Sequence, residues 1–193
     1  MPNSRSDFIY RGTRIIAAPL KGKPTARAFL GKKCIAEAAA ADLSSAIASV
    51  QELIDQKIRN RFDGVPAAED YEHAFSAISQ DIGKGQLAML KAHCAARAGD
   101  TLDNFPDRTV TAEQLAEAAG YSGYEAANLQ YGLLGRRVAE LLDYQPPFSD
   151  ERGEPVWTMA LATGVRSAGG RGLWIWTLRP EVAVAVQRLG WDV

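Results

Sequence analysis

The stretch from Thr109 to Leu142 constrains the fold more than any other part of the chain. Thr111 is a good helix N-cap, and Glu113 and Glu117 place negative charge in the opening turns, where the helix dipole favours it. Leu115, Ala118 and Ala119 form a compact apolar face, small enough for a second helix to approach closely. Gly120 supplies the left-handed residue that ends such a helix, and Tyr121-Ser-Gly-Tyr124 has the length of a turn joining two crossed helices. A longer helix then runs from Tyr124 to about Leu142. Along it Ala127, Tyr131, Leu134, Val138 and Leu141 keep the core spacing, which leaves Glu125, Asn128, Gly132 and Arg136 as the opposite stripe. Gly132 and Gly135 weaken this helix in isolation, so they imply close approach of another backbone, from this chain or from a partner.

The neighbouring segments complete a recognisable order. One helix is expected from near Ala67, with acidic residues in its first turn, and another from near Gln80, with Leu87, Leu90, Cys94 and Ala95 on one face. After Pro146 and Pro147 the pattern turns to strands over residues 156–163 and 173–178, joined by a glycine-rich tip that holds Arg166 and Arg171. Pro180 then opens a last helix, which packs back through Val182, Val186 and Leu189. Helix, helix, turn, helix and hairpin is the order of a winged helix domain, and the hairpin tip is where a wing meets a phosphate backbone.

The segments "TAEQLAEAAGY", "YEAANLQYGLLGRRVAELL" and "PVW…LWIWTLRPEVAVAVQRLGW" also resemble a winged helix-turn-helix module of bacterial proteins, some of which pair it with nuclease domains. The resemblance covers roughly residues 80–191. It implies a DNA-binding role; no nuclease motif accompanies it, so only the binding role carries over.

The N-terminal part reads differently. Phe8 to Tyr10, Thr13 to Ala18 and Thr25 to Leu30 alternate as strands around a Lys-Gly-Lys-Pro turn at 21–24, and Lys33 to Ala39 suits a further strand or, through its alanines, a helix. Asp42 or Ser44 then caps a helix with Leu43, Ile47, Val50, Ile54 and Ile58 at core spacing. The expected class is α+β: a small sheet-plus-helix domain over residues 1–63, a Gly64-Val-Pro66 linker, and a helical linker with the winged helix-turn-helix domain over 67–193. Charge divides along the same line, with 11 Lys and Arg against 6 Asp and Glu up to residue 66, 3 against 6 over 67–106, and 8 against 11 beyond. Arg11, Arg14, Lys57, Arg59 and Arg61 make the N-terminal surplus, which as a general rule is a solvated face.

No apolar run is long enough for a membrane span and no secretory leader opens the sequence, so a soluble cytoplasmic protein is expected. Cys34 and Cys94 are expected as thiols, and with His73 and His93 they lack zinc-ligand spacing. No phosphate loop, nucleophile elbow or paired metal-ligand motif is present, which argues against an enzyme and implies no cofactor. The expected partner is double-stranded DNA. Asn128 and Gln130 suit adenine edges, Arg136, Arg137, Arg166 and Arg171 suit guanine edges or phosphates, and Tyr124 shares the side of Asn128 and Arg136. The alternative is a protein-interaction adaptor, with a protein partner or a second copy of the chain on the same scaffold. The mild acidity of the C-terminal half favours it, since phosphate neutralisation supplies most nonspecific DNA affinity.

Overall fold

The computed structural model describes residues 5–99, 105–149, 153–166 and 174–191. It is an α+β structure with two compact units. The first holds the chain up to Ile78 together with Glu140–Tyr144, and the second holds the rest.

In the first unit, β1 (Ser6–Tyr10), β2 (Thr13–Leu20), β3 (Lys23–Leu30) and β4 (Lys33–Ala39) form an antiparallel sheet in sequence order. The turns after β1 and β2 are two-residue turns, Arg11-Gly12 with φ of 47° and 73° and Lys21-Gly22 with φ of 49° and 79°. Paired left-handed residues match the twist of the flanking strands. Helix α1 (Leu43–Arg59) is capped by Asp42, whose carboxylate accepts from the Ser45 amide at 2.8 Å. It buries Ala46, Val50 and Ile54 against Ile15, Ala17, Ala26 and Ala28. The alanines of β4 that leave strand and helix equally open in sequence resolve as strand, because Ala36 and Ala38 alternate toward α1 while β3 offers them a hydrogen-bonding edge.

Helix α2 (Ala68–Ile78) belongs to this unit too. The chain therefore divides after Ile78, later than the Gly64–Pro66 segment that composition suggests. The physical reason is packing: a Cβ on Gly31, in the β3–β4 turn, would stand 2.5 Å from Ala77 Cβ, and Lys57 Nζ meets the buried Asp70 carboxylate at 2.5 Å. Division this way removes the charge contrast. The first unit carries 11 basic and 11 acidic residues and the second 11 and 12.

The second unit contains α3 (Lys84–Ala95), β5 (Thr109–Thr111), α4 (Ala112–Ala119), most of α5 (Tyr124–Leu141), β6 (Ala162–Arg166), β7 (Trp174–Leu178) and α6 (Pro180–Arg188). Its antiparallel sheet has the order β5-β7-β6. Several expectations are corrected. Helix α3 starts at Lys84, not near Gln80, and buries Gln86, Met89, Leu90 and His93, whereas Leu87 and Cys94 are half-buried and Ala95 is exposed. Strand β5 is a third strand where the sequence suggests only a cap. Trp157–Ala160 is a 3-10 turn, so the hairpin begins at Ala162 and not at Val156. Helix α6 packs through Val182, Ala183, Ala185 and Val186, with Leu189 half-buried. Among the described residues no helix is long and apolar enough to cross a membrane.

Candidate functional site

The α4–turn–α5 segment is built from local signals. Thr111 Oγ1 accepts from the Gln114 amide at 3.2 Å while Gln114 Oε1 accepts from the Thr111 amide at 2.8 Å, so two orphan donors are satisfied reciprocally. Gly120, at φ 70°, closes α4, and the Tyr121 amide reaches back to the Ala116 carbonyl at 2.8 Å. The buried face of α4 is Ala112, Leu115 and Ala116; Ala118 is exposed and Ala119 half-buried, a turn away from the face expected. A Cβ on Gly85 would stand 2.2 Å from the Tyr121 hydroxyl, so that glycine gives Tyr121 its place against α3. The Gln86 amide donates to the Gln130 carbonyl at 3.0 Å and ties the start of α3 to the middle of α5.

Deeper in the unit, His93 is fully buried between Tyr131 and the Trp176 carbonyl. Its Nε2–H donates to that carbonyl at 3.0 Å, which leaves Nδ1 to accept the Tyr131 hydroxyl at 2.9 Å. Burial lowers the histidine to about 4 and raises the tyrosine well above its ordinary value. Both groups are neutral and hydrogen-bonded, the condition of a structural pair.

Helix α5 is contacted on two sides, and this decides which residues are open. Ala127, Tyr131, Leu134, Gly135, Val138 and Ala139 are buried. A Cβ on Gly135 would stand 2.2 Å from the Trp157 carbonyl oxygen, and one on Gly132 would stand 3.7 Å from Thr158 Oγ1. The backbone that Gly135 admits is thus the chain's own 3-10 turn. Arg136 lies over the Trp157 ring at 5.5 Å on the same side. Of the sequence-derived stripe Glu125, Asn128, Gly132 and Arg136, the middle two are corrected: Asn128 and Gly132 are half-buried, while Glu125 and Arg136 are exposed. A continuous open ridge keeps Glu125 and runs on through Leu129, Leu133 and Arg137, with Leu129 61% and Leu133 38% exposed.

The other candidates are scattered. Tyr124 is 47% exposed at the start of α5, its hydroxyl bonded to Glu125, which holds it protonated above its ordinary range. Gln130 is half-buried against Gln86. Arg137 is exposed and donates through Nη1 to the Asp81 carbonyl at 2.8 Å. Arg166 closes β6, its backbone paired with Trp174, and Arg171 lies outside the described residues. Sequence reasoning missed Leu129 and Leu133. Their signal was available: they are the two leucines of the helix that fall outside its core spacing.

The first unit offers a cleft of about 230 Å³ beside α1, lined by Arg11, Lys57, Arg61 and Asp70 among apolar side chains. Its cations are already engaged. Arg11 binds Asp55 at 2.7 Å and Asp143 at 2.8 Å, Lys57 binds Asp70, and Arg61 donates to the carbonyls of Leu142 and Asp143. The basic patch read from the sequence is thus largely an internal ion-pair set; Arg14 is likewise held by Asp7 and Arg59 by Glu52.

Comparison with protein-family models, with curated proteins and with solved structures finds no match to this chain.

Proposed function

We propose that the second unit is a winged helix-turn-helix that works as a protein-interaction module, with the open ridge of α5 as its contact surface. The element order from α3 to β7 and the β5-β7-β6 sheet support the scaffold assignment. The observation that carries the function is the exposure of Leu129 and Leu133 on the helix that would have to enter a DNA groove. A groove-reading helix needs donors and acceptors there, and leucines desolvate phosphates and base edges without replacing their hydrogen bonds. Charge supports the same choice, since neither unit has the surplus cations that phosphate binding requires.

DNA binding is the second reading, favoured by exposed Tyr124 at the start of α5 and by the β6–β7 hairpin in the position of a wing. Titration of the full chain with a random-sequence duplex across a salt series separates the two. The interaction reading expects no association at physiological salt. Salt-steep binding that Arg166→Ala with Arg171→Ala reduces by about one to two units of slope would replace it with the DNA reading.

A further inference from the structure

We infer that the partner on the α5 ridge is a second copy of this chain, docked antiparallel about a two-fold axis between Leu129 and Leu133. This rests on the interaction reading of α5. Residues four apart on a helix form one inclined ridge with about 6 Å between successive members. Glu125, Leu129, Leu133 and Arg137 make such a ridge, and all four are exposed. Its order is self-complementary. Turned end for end, the ridge places Leu129 against Leu133 of the other copy, Leu133 against Leu129, and Glu125 and Arg137 against their opposites at the two ends. Two apolar contacts flanked by two opposite-charge contacts are what an isologous interface requires, because every contact must occur twice. Arg137 spends one of its five donors on the Asp81 carbonyl, which holds the guanidinium at the end of the ridge with donors left for a carboxylate.

The ridge is narrow, so the dimer belongs to the weak class, with dissociation on the order of micromolar. Sedimentation equilibrium of the full chain over a wide concentration range tests this. Wild-type protein should dimerise, and Leu129→Ser, a change at a largely exposed position, should raise the dissociation constant at least about tenfold with the fold intact by circular dichroism. The decisive set is electrostatic. Glu125→Arg alone and Arg137→Glu alone each put two like-charge pairs across the axis and should each weaken the dimer about tenfold or more. The double variant, or an equimolar mixture of the two single variants, restores both attractive pairs and should restore dimerisation.

A wild-type chain that stays monomeric at millimolar concentration would overturn the second-copy assignment, as would a dimer indifferent to position 129 or to the charge reversals. Neither result bears on whether α5 meets DNA, which the duplex titration decides independently.

Discussion

Three residues carry sharp tests of how the second unit is held together. His93 is neutral and buried, its value lowered from 6.5 to about 4, so the unfolded chain takes up its proton before the folded chain does. The stability this group contributes is complete above pH 6.5 and is lost as pH falls toward about 4, a cost of about 3 kcal/mol across that window. Urea midpoints measured at pH 7.5 and 4.5 should differ more for wild type than for His93→Gln; equal differences would mean that other groups set the acid sensitivity. The glycines of α5 give opposite signs. Gly135→Ala forces a methyl onto the Trp157 carbonyl and should cost about 1–3 kcal/mol. Gly132→Ala meets only Thr158 Oγ1 at ordinary contact distance and should stabilise the unit by up to about 1 kcal/mol through helix propensity. Thermal unfolding of the two variants checks the contrast, and a shared sign would misplace the turn. The sequence marked both glycines as points of close approach; it could not say that only one is tight.

Elements whose signals lie within a few residues were legible before any tertiary contact. Asp42, Thr111, Gly120 and Pro180 each stand at the helix end that their chemistry favours. Thr111→Ala should cost about 1 kcal/mol, because it opens the reciprocal cap on the Gln114 amide. A denaturant titration that left stability unchanged would show that β5, which ends at the same residue, holds α4 without it. What was not legible has a common physical origin. Thr109–Thr111 is too short to show alternation, and it is a strand only because β7 supplies its partner. Trp157–Ala160 has strand-like side chains, yet it closes into a 3-10 turn against the small positions of α5. The hydrophobic period of α5 suggests one buried line, while the helix is covered on two sides; that difference exchanges Asn128 and Gly132 for Leu129 and Leu133 on its open face.

On the scale of the whole molecule, the first unit is completed by a segment far along the chain. Glu140–Tyr144 returns to it, where Asp143 receives Arg11 and the Leu142 and Asp143 carbonyls receive Arg61. A fragment ending at Ile78 lacks these acceptors and leaves Arg61 without the carbonyls it caps. It should unfold at a lower urea concentration than the same unit in the full chain. All four tryptophans lie beyond Ile78, so in the full chain tryptophan emission marks the second unit's transition, and the first unit's is the part of the far-UV circular dichroism change that emission does not follow. Equal midpoints would show that the segment adds nothing to the first unit's stability. The same return of acidic residues, with those of α2, cancels the basic surplus that the first 66 residues carry alone.

Interactions between residues a few positions apart were enough to read the α+β class and the helices with their Asp42, Thr111, Gly120 and Pro180 ends from the sequence, whereas the turn placed at 21–24 closes within Lys21-Gly22, with Lys23 and Pro24 already in β3. Tertiary structure alone decided the boundary after Ile78, the pairing of the N-terminal cations and which ridge of α5 faces solvent. Those outcomes depend on what packs against a residue from elsewhere in the chain, and periodicity records that a face is buried without recording how many neighbours bury it.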